Sequence, residues 1–170
     1  MTAEAHLAAA LQALGFQGDP EMARTPELLA GWLREFLPGP LPALEALATT
    51  SEDLVVLRRV PFHALCAHHL LPFFGEATVA WRPSGRICGL GAVARLVEAL
   101  ARQPQLEERL AAQIADALVR DLSPSAVGVR LEARQLCLEL RGARVPAICE
   151  VTALRGAPDA ALLAALQVRG

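Results

Sequence analysis

Lysine, asparagine and tyrosine are absent from the 170 residues, and aromatic side chains make up only 4% of them. All sixteen basic residues are arginine, so chemistry that needs an ammonium side chain, such as a Schiff base, has no residue to run on. Basic excess is missing too. Sixteen arginines against eighteen acids leave a net charge of −2, which removes the electrostatic footprint of a nucleic-acid binder or a polybasic membrane surface. No apolar run reaches the length of a membrane span. The opening MTAEAHLAAALQALGF is apolar at helical spacing, but it carries Glu4 and no basic n-region, so it does not read as a signal peptide. The expected location is the cytoplasm. There the four cysteines, Cys66, Cys88, Cys137 and Cys149, read as thiols or metal ligands rather than disulfides.

What is present suits a folded domain. Hydrophobic residues make up 54% and charged residues 20%, and 170 residues suffice for one sizeable core. Leu7, Leu11 and Leu14 set a helical period over 3–15, which Gly15 stops. Thr25-Pro26 reads as an N-cap followed by proline at N1, opening a helix to about Leu37, with PGPLP at 38–42 as a breaker. Residues 53–65 and 75–83 read as strands, and SGRICGLG as a turn-rich connection. Helical period returns over 92–102 and 105–122, with Pro104 between them. Strands are expected again at 125–134 and 147–156, and a helix at 158–168. Paired strands with two helices between the pairs predict an α+β domain, an antiparallel four-stranded sheet with helices on one face. One domain over 1–170 is expected, with a helical part at about 1–45 and a core at about 50–157.

The stretch LCAHHLLPFFG, Leu65 to Gly75, concentrates the chemistry. Cys66 and His69 stand three residues apart, and zinc is bound tetrahedrally by thiolate and imidazole. Two ligands do not make a site. Cys137 in QLCLELRG offers a third, 137 − 66 = 71 residues away, so only the fold can join them. Three protein ligands would leave a fourth position open, as in catalytic zinc sites. The alternative is packing, since cysteine is among the most buried residue types. Cys88 and Cys149 fall in that second class.

The same residues carry a resemblance. LCAHHLLPFFGEATVAWRP resembles the zinc-site segment of the GTP cyclohydrolase I family, which reads Cys-Glu-His-His-Leu-Leu-Pro-Phe. GL-x-x-x-AR-x-V at 89–97, RQPQLEERLAAQIADAL at 102–118, C-x-x-x-RG at 137–142 and TPELLAGWLREF at 25–36 resemble further family segments in order. The resemblance implies the tunnelling fold, a homo-oligomer of rings that is typically a decamer of two pentamers, and a bound Zn2+. It implies opening of the GTP imidazole ring at C8 with release of formate and formation of dihydroneopterin triphosphate, in tetrahydrofolate biosynthesis. Cys66, His69 and Cys137 fall on the zinc ligands, and the metal activates the attacking water. His68 falls on a histidine near the substrate. Glu108 falls on the glutamate that holds the guanine edge, where a carboxylate accepts from N1–H and the 2-amino group together. Arg95 and Arg141 fall on triphosphate contacts, where planar guanidinium forks suit phosphate.

Departures from the family pattern concentrate on chemistry. Gln135 stands where the family's proton-transferring histidine would be, and an amide does not exchange protons near neutral pH. Gly91 and Ala92 replace a serine and a lysine, Leu28 an arginine, Ala67 a glutamate and Glu107 a glutamine. Two cations fewer and one acid more weaken a site for a polyanion. Three functions follow: a GTP cyclohydrolase with rearranged proton transfer, an enzyme for another purine or pterin, or a non-catalytic paralogue that binds a ligand or pairs with an active subunit.

Overall fold

The computed structural model describes residues 1–16 and 18–167. The chain divides into two compact units, Met1–Leu37 and Pro38–Gly170. The first holds α1 (Ala3–Ala13), a 3-10 turn (Pro20–Arg24) and α2 (Thr25–Arg34). Thr2 caps α1 through its hydroxyl, and Asp19 caps the 3-10 turn by accepting from the Glu21 N–H. The expected cap at Thr25 is not formed. The 3-10 turn runs straight into α2, so Arg24 already has helical dihedrals and Thr25 is the first helical residue. The helix also ends before Leu37, because the N–H groups of Glu35, Phe36 and Leu37 tighten onto carbonyls three residues back.

In the second unit, β2 (Val55–Cys66) and β3 (Pro72–Arg82) form a long hairpin. α3 (Leu90–Ala101) and α4 (Glu107–Leu122) follow, then β6 (Ala126–Gln135), α5 (Leu136–Glu139), β7 (Ile148–Gly156) and α6 (Ala160–Gln167). Two short pieces, β1 (Leu47–Ala48) and β4 (Arg86–Ile87), pair with each other inside stretches that lack strand periodicity. Four antiparallel strands form as expected. A fifth, the two-residue β5 (Pro104–Gln105), adds to the end of β2 in parallel, giving the order β5-β2-β3-β6-β7. Residue 168 of the expected last helix lies outside the described residues.

Period-two alternation places Val127, Val129, Leu131 and Ala133 of β6 in the main core with Phe62, Trp81 and the inner faces of α3 and α4. Each fully buried side chain of this kind contributes roughly 1.5–3 kcal/mol. The intervening residues face the other way. Ala126 and Ala80 meet Leu162 and Leu166 of α6, so helices cover both faces, not one. Gly128 fits beneath α6 only because it has no Cβ; one would come within 2.7 Å of both leucines. Two residues on, the buried Arg130 bridges Glu132 and Glu150 at 3.0 Å each and donates to the Leu166 carbonyl.

Candidate active site

Local structure explains why Cys66, His68 and His69 are displayed together. β2 ends at Cys66, whose carbonyl accepts from the N–H groups of His69 and Leu70, while the Cys66 N–H reaches the Leu71 carbonyl. Leu70 adopts φ 54° to close this turn, a left-handed conformation unusual for a leucine. The Ala67 N–H donates to the Gln105 carbonyl, tying the turn to β5. Cys66 is buried, while the two histidines stand exposed on the turn.

The distant cysteine arrives from the opposite side. β6 pairs with β3 until Gln135 faces Phe73, and the single turn of α5 then carries Cys137. Ligand atoms of Cys66, His69 and Cys137 lie within 4.8 Å of one another, with the Cys66 Sγ 3.9 Å from His69 Nδ1. Two sulfurs and one imidazole nitrogen at this separation form a donor set that fits zinc with one position left for a non-protein ligand. Burial and the neighbouring Cys66 thiol push the Cys137 thiol up, because two adjacent thiolates without a cation repel.

A cavity of about 230 Å³ opens on this group, lined by Cys66, His68, Phe73, Gln105, Leu106, Glu107, Glu108, Gln135 and Cys137. The fold thus joins five of the expected site residues, Cys66, His68, Cys137, Glu108 and Gln135, around one cavity. Arg141 does not line the cavity, but its guanidinium contacts His69 Nε2. Arg95 is elsewhere in this chain. It lines a second cavity with Glu45, Gly91 and Ala92.

Two further residues organise the site: Gln105, which the sequence did not assign to it, and Glu107, which the resemblance placed there only as an added acid. Gln105, the last residue of β5, is fully buried two residues before α4 begins. Its amide donates to the Leu100 carbonyl and to Gln113 Oε1, and its carbonyl oxygen accepts from the Leu106 N–H and Arg109 Nε. That closed network fixes the first turn of α4, from which Glu107 and Glu108 project. Glu107 is only 2% exposed, and Gln135 Nε2 donates to its Oε2 at 2.6 Å. Its Oε1 is buried without a hydrogen-bond partner. Burial pushes the Glu107 carboxyl up to about 7, despite the hydrogen bond from Gln135 and a helix N-terminus that favours the anion. Glu107 therefore does not add the full negative charge its sequence position suggests; near neutral pH it is partly protonated. Beside it, burial and the Glu107 carboxyl hold the Cys149 thiol at about 11.

A stability consequence follows. Because the folded carboxyl holds its proton to a higher pH than the unfolded one, with about 7 against 4.5, the contribution of Glu107 is most favourable below 4.5 and declines as pH rises through 7. At 1.36 kcal/mol per unit the loss approaches ~3 kcal/mol. Urea unfolding of wild type and E107Q between pH 4.5 and 8 should show the stability difference moving in favour of E107Q by that order. A constant difference would mean that the carboxyl titrates normally.

The mixed sheet with helices between strand pairs matches a crystal structure of the archaeosine synthase QueF-Like in the apo form, with a TM-score of 0.55 at 19% identity. The match covers 65% of this chain and 100% of that one, and the architecture is the tunnelling fold. The sequence narrows the assignment. The model of the family described as GTP cyclohydrolase I matches residues 3–162, and the chain belongs to that family. A protein named GTP cyclohydrolase 1 from Corynebacterium glutamicum (strain R) is 42% identical over 155 residues, 86% of this chain and 79% of the relative. One of the same name from Carboxydothermus hydrogenoformans is 40% identical over 86% of this chain and 80% of its own. A third, from Hydrogenobaculum sp., is 47% identical over 105 residues, which span 61% of this chain and 58% of that protein.

Proposed function

We propose that the protein is a zinc-dependent GTP cyclohydrolase that opens the imidazole ring of GTP by hydrolysis at C8 and yields formate and dihydroneopterin triphosphate. The observation that carries this reading is the convergence of Cys66, His69 and Cys137 within 4.8 Å of one another, with both cysteines lining a cavity that Glu108 and His68 also line. Zinc at the three ligands would supply an electrophile that lowers the pKa of the attacking water. With His69 Nδ1 committed to the ion, Nε2 carries the ring proton and cannot accept from Arg141, which frees that guanidinium for phosphate. Glu108, exposed in the first turn of α4, accepts from the guanine N1–H and 2-amino group. His68 orients the ring edge.

At about 230 Å³ the cavity is smaller than the roughly 300–1,000 Å³ of a ligand pocket, so it suits the base while the ribose triphosphate extends outside. Arg95 would then act on a triphosphate held by a neighbouring protomer. The outer edge of β7 pairs with no strand among the described residues, and we infer that such edges join the chains in rings, as a cytoplasmic homo-oligomer of two pentamers.

The test is to incubate metal-quantified protein with GTP and follow formate release and pterin absorbance. Stoichiometric formate and pterin are expected; bound zinc without turnover would refute the activity. A second reading, a purine or pterin substrate without a triphosphate, is favoured by the second cavity. There Arg95 is the only cation among the lining residues and Glu45 opposes it. A panel of such compounds separates the two.

A further inference from the structure

Among the titratable groups of the cavity, Glu107 is the one whose position the metal group and base recognition leave without a task. It is nearly inaccessible to solvent, yet it lines the cavity together with Cys66, His68 and Cys137. A buried carboxyl oxygen with no partner is costly, and such costs persist where the group has work to do. Gln135 fixes the other oxygen from the end of β6, two residues before Cys137, so the carboxyl is held by the strand that delivers the third ligand. An amide cannot transfer protons near neutral pH, but it can orient a group that does. The titratable groups around Glu107 are Cys149 on β7, Glu108 on its own helix, and Cys66, His68 and Cys137 across the cavity.

We propose that Glu107 is the proton-transfer residue of this site and that Gln135 is the positioning residue that holds it, an inference that rests on the hydrolytic reading above. The carboxylate takes a proton from water as the water oxygen bonds to C8 and the C8=N7 π pair moves onto N7. The resulting carboxylic acid then gives that proton to N9 as the C8–N9 bond breaks with its pair on N9, while the N7 pair re-forms the C8=N7 bond and leaves N7=CH–OH, the tautomer of a formamide. Water has contributed OH to carbon and H to nitrogen, and Glu107 returns to its starting state. A carboxyl at about 7 exchanges protons in both directions at neutral pH.

The test combines E107Q, which keeps shape and a hydrogen-bonding oxygen, with the double variant E107Q/Q135H, which moves the titratable group to the other partner of the pair. E107Q should lower kcat by about 10²–10⁴-fold with little change in KM, and should remove the kcat limb near 7. The double variant should recover most of the loss. Independently of turnover, isotope-edited infrared titration of the metal-free protein should show a carboxyl that titrates near neutral pH in wild type and is missing in E107Q. Retained kcat in E107Q overturns the proposal, as does a carboxyl that titrates in the ordinary glutamate range. Either result, obtained with a wild type that turns GTP over, overturns this proposal alone and leaves the hydrolytic reading standing. If zinc-loaded wild type is inert on GTP, the hydrolytic reading itself falls, and this proposal with it.

Discussion

Cys137→Ser is expected to leave the fold in place and abolish retention of zinc. Serine matches cysteine closely in shape, and Cys137 is only half-buried on a single helical turn, so little packing is lost. What disappears is the thiolate, one of three donors gathered within 4.8 Å. Second neighbours that merely orient a ligand are worth about 10–100-fold in metal affinity or activity, so a donor itself should exceed the upper end of that range. Metal analysis after gel filtration should show about one zinc per chain in wild type and near zero in C137S, with formate release down by more than ~100-fold. C66S should behave alike. C149S, which alters the thiol beside Glu107 and none of the three donors, should keep its metal. Zinc retained in C137S would place the ion elsewhere. Thermal unfolding gives a second reading, because an ion bound only by the folded chain raises stability as RT ln(1 + [L]/Kd), and that increment should vanish with the donor.

Much of this arrangement is legible in the chain itself. The long strands announce themselves by alternation, and α3 and α4 by a 3.6-residue period. The CAHH stretch and the distant Cys137 are legible as one site because the resemblance supplies the pairing that spacing across 71 residues cannot. Short elements are illegible for a physical reason. β5 has two residues and α5 four, too few for any periodicity to show, yet β5 ties down the Cys66 turn and α5 carries Cys137. The character of Glu107 is equally hidden. Sequence places it as one more acid at a helix start, whereas its protonation depends on Gln135 from β6 and Cys149 from β7, contacts that only sheet pairing creates. Gln105 reads as a polar residue after a proline, and only the fold shows all its hydrogen bonds closed inside the protein.

Gly75→Ala should be the most damaging single methyl in the second unit. Gly75 sits in β3, paired with Phe62 of β2 on one side and Ala133 of β6 on the other. A Cβ there would lie 1.8 Å from the Glu132 carbonyl oxygen and 2.7 Å from the Ala133 Cα. Both are main-chain atoms of the neighbouring strand, so no side chain can rotate out of the way, unlike the α6 leucines above Gly128. Relief requires β3 and β6 to part. Overpacking a core ordinarily costs about 1–3 kcal/mol, and a clash with backbone belongs at or beyond the top of that range. The register then carries the damage to the chemistry. Two residues along β3, Phe73 lines the cavity and pairs with Gln135, and Cys137 follows two residues later. Displacing β6 therefore moves Gln135 away from Glu107 and the third donor away from Cys66. The expected result is a loss of roughly 3 kcal/mol or more in unfolding free energy, with zinc retention weakened even below the unfolding transition. G128A, whose new methyl meets only movable leucine side chains on the opposite face, should cost less and keep its metal. If G75A proved as stable as G128A, the close approach of β3 and β6 would not be what sets the geometry of the site.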